Sequence, residues 1–256
     1  MNIMNESGQT DGTWKSELPA TFLQYLADSP AAAGERLPSI HEISAHLGIS
    51  SGKLREQLEV ARQLGLVDVR PKTGIRRLPF SFLPSLRLTL NHALAIDPAY
   101  FEQFGDLRNA LEVVFWKAAA QSLLPEDRQT LRRLVERAWE KLGGEPIQIP
   151  HAEHRALHLT IFSRFENTFV RGVLEMYWEA YEAFGLNVYA DYAYLKRVWE
   201  YHERMVDAIL AEEYELGYQI QIEHASLLHE RPELHRLRWQ GPTAALEAGA
   251  TPREAE

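Results

Sequence analysis

The sequence predicts a mainly α chain in two parts: a small head closed by a two-strand β-wing, then a longer all-helical body. Three observations carry that reading. A capped helix, a glycine turn and a second, basic-flanked helix follow one another between residues 34 and 64. Two short strand-like stretches then flank a Pro-Lys-Thr turn. From residue 86 to about 234 the apolar residues recur at helical spacing almost throughout.

Bulk composition bounds the rest. A content of 45% hydrophobic and 25% charged residues suits a water-soluble globular chain. No apolar run reaches the roughly 20 residues that span a bilayer. The N-terminus lacks a basic-then-apolar export pattern, so a cytoplasmic protein with no membrane partner is expected. With no cysteine, disulfides, thiolate ligands and a thiol nucleophile are all excluded, and any metal must rest on His, Asp or Glu. The net charge of −9 is unevenly shared. Basic and acidic residues balance over residues 1–80, so the whole acidic excess lies beyond them. Within residues 50–80, Lys53, Arg55, Arg62, Arg70, Lys72, Arg76 and Arg77 face only Glu56, Glu59 and Asp68. A basic patch on an acidic chain fits a nucleic-acid-binding head joined to something else.

In chain order, residues 1–13 read as a disordered polar tail, and residues 14–80 as the head. Leu18, Phe22, Leu23 and Leu26 form one helical stripe. Ser39 followed by Glu42 is a capping box, so a helix starts there and ends near Gly48. A second helix runs from about Gly52 to Leu64, with Leu54, Leu58 and Ala61 inward. Leu66–Arg70 and Gly74–Leu78 are the strands of the wing. Residues 81–97 form a linker and a first connecting helix, and residues 98–236 the helical body. Its runs are Pro98–Phe104, Asp106–Leu123, Pro125–Leu142, His151–Ser163, Thr168–Phe184, Leu195–Ala211 and Glu213–His229. Residues 237–256 form a second disordered tail.

Gly34-Glu-Arg-Leu-Pro-Ser, Glu42-Ile43, Leu47-Gly-Ile-Ser50, Leu54-Arg55-Glu56 and Leu64-Gly-Leu-Val67 together resemble the winged-helix signature of the GntR family of bacterial transcription regulators. The resemblance implies that Ser39, His41, Ser50, Ser51, Lys53 and Arg55 meet double-stranded DNA, with Lys72, Thr73 and Gly74 at the wing. His41 and Ser51 stand where relatives carry arginine, which leaves fewer forks to read guanine edges. The body resembles the FCD ligand-binding domain of the FadR subfamily, through Leu107-Arg108, Leu111-Glu112 and Ala118-Ala119.

Four histidines carry the candidate chemistry. His154 and His158 are four apart and stack on one helix face. His202 and His224 also lie on amphipathic runs beside apolar neighbours. By periodicity they are either core histidines or a metal site. The family motif decides by resemblance: His154, Leu157, His158 and Asn167 keep the spacing of its metal sequence, and His202 and His224 match its two remaining ligands. His154 replaces the usual Asp. Imidazole binds zinc, the first expectation, and equally nickel, iron or copper. Four neutral imidazoles leave a divalent ion its full charge, which favours an anionic effector such as a small carboxylate. The opposing reading is that the substitution empties the site. Arg108 is either a clamp for that carboxylate or an i,i+4 ion-pair partner of Glu112. Asn167 joins it as an effector contact through the motif.

The resemblance therefore implies a homodimer on a palindromic operator that answers to a small anionic metabolite. No catalytic residue is assigned. A histidine-ligated enzyme is the competing class. No carboxylate stands beside these histidines as Glu does in His-Glu-x-x-His, and Glu153 and Glu203 turn about 100° away on their helices. A regulator braced by a purely structural metal is the third.

Overall fold

A computed structural model describes residues 22–183 and 191–227. Both predicted tails, the start of the first helix and the end of the last predicted run at His229 lie outside them. The chain divides into two compact units, up to Ser85 and from Leu86. Among the described residues no helix is long and apolar enough to cross a membrane.

The first unit holds α1 (Phe22–Asp28), α2 (Ile40–Leu47), α3 (Ser51–Gln63), β1 (Val67–Arg70) and β2 (Gly74–Arg77). Ser39 and Glu42 close the expected capping box: Ser39 N–H donates to Glu42 Oε2 at 2.8 Å, and Glu42 N–H to Ser39 Oγ at 3.3 Å. Gly48 ends α2 in the left-handed region at φ 65°, which glycine enters without a Cβ penalty. The chain can then turn at once into α3, capped by Ser50. β1 and β2 pair antiparallel, Val67 opposite Arg77 and Arg70 opposite Gly74. Phe22, Leu26, Ile43, Leu54, Leu58 and Ile75 fill the core beneath them.

α4 (Leu83–Ile96) begins inside the stretch expected to be linker. Pro84 stands in its first turn, where a missing N–H costs nothing. The second unit continues with α5 (Tyr100–Gln121), α6 (Pro125–Leu142), α7 (His151–Ile161), α8 (Thr168–Ala183), α9 (Tyr192–Leu210) and α10 (Tyr214–Ser226). Two predicted helices, Pro98–Phe104 and Asp106–Leu123, prove to be one. Phe101, Phe104, Arg108 and Glu112 form an unbroken buried stripe through Gly105, and that burial outweighs the roughly 1 kcal/mol penalty of a helical glycine. α9 starts earlier than the apolar pattern suggests because Asp191 caps it, accepting from Tyr194 N–H at 3.2 Å.

Leu131, Leu157, Ile161, Leu174, Trp199 and Val206 lie in the core of this bundle. Gly217 lets α10 press against α5. A Cβ there would fall 2.0 Å from Trp116 Cη2, well inside contact distance.

Candidate metal centre

Three helices bring four imidazoles to one point. α7 presents His154 and His158, α9 presents His202 and α10 presents His224, and their ligand atoms lie within 4.8 Å of one another. The sequence-predicted set is thus assembled in full. His158 and His202 are completely buried, His224 nearly so, and His154 half-buried against Trp178, whose ring centre is 4.7 Å away.

His202 is the hub. Its Nε2 lies 3.2 Å from Nε2 of His158 and 3.2 Å from Nε2 of His224. A neutral imidazole nitrogen carries one hydrogen or one lone pair, so it cannot form a good hydrogen bond to both neighbours. Nitrogens about 2.0–2.1 Å from a tetrahedral zinc would stand about 3.3 Å apart, so the donor set fits an ion. Burial also holds these rings in the neutral, ligating form. It pushes His158 below its ordinary value, with Glu112 opposing, and His202 well below it. His224 falls to about 3, through burial first and the charges of His158 and Arg108 after it.

Around the rings lies a polar shell that includes the Arg108–Glu112 pair singled out in the sequence. Glu112 is fully buried. Its Oε2 accepts from Gln221 Nε2 at 3.2 Å. Its Oε1 lies 2.9 Å from Arg108 Nη2 and 3.1 Å from His158 Nδ1, without an aligned hydrogen bond to either. Burial alone would raise the Glu112 carboxyl, but Arg108 and His158 outweigh it and bring it down to about 2. Arg108 Nη2 donates to His158 Nδ1 at 2.9 Å, and Nη1 donates to Asn109 Oδ1 at 3.0 Å. The guanidinium stacks over Tyr177 at 4.8 Å. The Nε of Arg108 and the Nδ2 of Asn109 have no hydrogen-bond partner.

Arg108, Asn109, His154, His224, Tyr177 and Tyr194 line one cavity, of about 480 Å³ including the solvent in its mouth. Asn109 is the site residue that sequence reading missed. It sits next to Arg108 on a helix where neighbours normally diverge, and only the fold turns both to the cavity. Asn167 lies elsewhere: its Oδ1 accepts from the N–H groups of Phe169 and Val170, both at 3.1 Å, and so caps α8. Glu153 is held by Lys141 at 2.7 Å.

In the first unit, Ser39 and Ser50 are helix caps, and Ser51 Oγ lies 3.4 Å from Ser44 Oγ. His41, Lys53 and Arg55 are exposed, as are Lys72 and Thr73 on the wing turn, with Gly74 opening β2. Arg76 is exposed beside them and donates to the carbonyl of Gly34 at 3.0 Å.

A winged helix-turn-helix joined to an all-helical unit built around histidines defines a class of two-part architecture. Residues 103–227, within the second unit, match the FCD domain. The described residues have the fold of a GntR-type protein with a C-terminal FCD domain. The solved structure of Streptococcus agalactiae GntR is similar at 16% identity and a TM-score of 0.58, over 81% of this chain and 95% of that one. E. coli McbR/YncC is similar at 19% identity over 82% of this chain and 92% of that one, and its TM-score of 0.45 adds nothing to the fold assignment. A search of curated proteins finds no match.

Proposed function

We propose that the chain is a transcription regulator, not an enzyme. Its winged head binds double-stranded DNA, and its FCD unit senses a small anionic effector beside a divalent ion. The convergence of four imidazoles on one point, three of them buried and with His202 Nε2 between two others, carries this reading. His154, His158, His202 and His224 hold the ion, zinc first, with nickel, iron or copper as chemically acceptable substitutes. When bound, the ion supplies a fixed positive charge. Arg108 and Glu112 offset each other, so that charge faces the cavity and favours a carboxylate. Arg108 and Asn109 receive the carboxylate, and Asn167 braces the start of α8. His41, Ser51, Lys53, Arg55, Lys72 and Thr73 meet the operator, while Ser39, Ser50 and Gly74 set the turns that place them. Two copies in the cytoplasm would read a palindromic operator, one wing and recognition helix per half-site.

A bracing role for the ion is the second reading, and one observation favours it: four nitrogens complete a tetrahedral shell with no open position. One experiment separates the two. The purified chain is expected to carry about one ion per copy. Succinate is expected to bind the metal-loaded chain more tightly than the stripped one, and operator affinity should fall steeply with salt as phosphate contacts release counterions. Equal succinate affinity for both forms would leave only the bracing role. Salt-insensitive operator binding, or a chain without metal affinity, would contradict the proposal itself.

A further inference from the structure

Three polar atoms crowd one point beside the cluster. Arg108 Nη2 is 2.9 Å from His158 Nδ1 and 2.9 Å from Glu112 Oε1, and Nδ1 is 3.1 Å from Oε1. A guanidinium can only donate. Its bond to Nδ1 makes that nitrogen an acceptor, so in the neutral ring the hydrogen sits on Nε2. There it points at His202 Nε2, 3.2 Å away, among the four donors. An ion held through Nε2 needs the opposite tautomer, with the hydrogen on Nδ1 and donated to Glu112. Nδ1 cannot accept from Arg108 and donate to Glu112 at once. Arg108 and the ion therefore select opposite tautomers of His158.

The cavity offers the guanidinium another partner. Arg108 is 5% exposed and Asn109 8%, both line the cavity, and Arg108 Nε and Asn109 Nδ2 have no hydrogen-bond partner. Two buried, unmatched donors on one wall suit a carboxylate, which accepts at both oxygens.

We propose that Arg108 couples the two sites. A carboxylate in the cavity draws the guanidinium away from His158 Nδ1. The ring then donates Nδ1–H to Glu112 and turns the Nε2 lone pair to the ion. The reverse holds by linkage: an ion on Nε2 puts a hydrogen on Nδ1, which repels Arg108 toward the carboxylate. Carboxylate and ion bind cooperatively through one imidazole, with no bond between them required. This inference rests on the sensing role proposed above.

The test is the zinc affinity of the stripped full-length chain, by chelator competition with and without succinate, for wild type and Arg108→Gln. Succinate should tighten zinc binding to wild type by roughly tenfold, the usual range for coupled sites. Arg108→Gln should bind zinc more tightly than wild type in the absence of succinate, because the opposing donor is gone. Succinate should then change its affinity by less than about twofold. Weaker zinc binding by Arg108→Gln, or full coupling retained in it, overturns the proposal, as does a wild type that binds both without coupling. A wild type that binds no zinc defeats the sensing role itself. If Arg108→Gln does not fold, the ring ¹⁵N shifts of wild-type His158 decide. The zinc-free ring should carry its hydrogen on Nε2 and move it to Nδ1 as succinate is added, and a hydrogen on Nδ1 from the start overturns the inference.

Discussion

His202 shows what one residue does here. It is fully buried, it touches two other imidazoles, and its Nδ1 has no hydrogen-bond partner. Burying such a ring is costly, and an ion on Nε2 offsets part of that cost by relieving the mismatch among the three Nε2 atoms. In His202→Ala, zinc is expected to leave the melting temperature unmoved, whereas in wild type it raises it by several degrees, as binding to the folded state alone requires. Scanning calorimetry with and without zinc checks this. The i,i+4 pair His154/His158 was legible in the sequence because helical spacing alone makes it. Asn109 was not, since its meaning comes from burial, and the Arg108–Glu112 pair was legible only as one of two alternatives. On an exposed helix the Arg108–Glu112 pair would contribute little. Here the side chains are 6% and 0% exposed, so removing one partner strands a buried charge, at a cost of about 3–5 kcal/mol.

At the scale of elements, α5 organises the second unit. It supplies Arg108, Asn109 and Glu112 to the site, and Trp116 to the contact with Gly217. Gly217→Ala should drive its methyl into an indole that is wholly enclosed. Overpacking of that kind costs about 1–3 kcal/mol, and urea denaturation would show it as a lower midpoint. Helix starts written in local chemistry were legible: Ser39 with Glu42, and Pro125 at the head of α6. The continuity of α5 was not, because Gly105 looks like a break until Phe101, Phe104 and Arg108 are seen sharing one buried face. Asp191 similarly gives α9 an earlier start than its apolar stripe suggests.

For the whole molecule, the division into a charge-balanced head with a basic patch and an acidic helical body was legible from charge and periodicity. The meeting of α7, α9 and α10 was not, because ligands 44 and 22 residues apart carry no mark of proximity, and the family resemblance supplied it. Convergence makes stability pH-dependent. His158, His202 and His224 are all held below the ordinary 6.5, so the unfolded chain binds more protons than the folded one as pH drops through that value. Stability is complete above about pH 7 and falls from there toward pH 3, by up to about 1.4 kcal/mol per pH unit for each histidine. Glu112 adds loss in the same direction between about 4.5 and 2. Thermal melts of the metal-stripped chain between pH 8 and 5 should show the decline, and a flat profile would rule it out.

His224 lies in the last turn of α10, the final described helix. A ligand so near a helix end anchors backbone that otherwise frays. Deuterium uptake by the α10 amides should slow sharply when zinc is added, while the wing strands exchange at their former pace. That one helix would then report how full the centre is, without any variant being made.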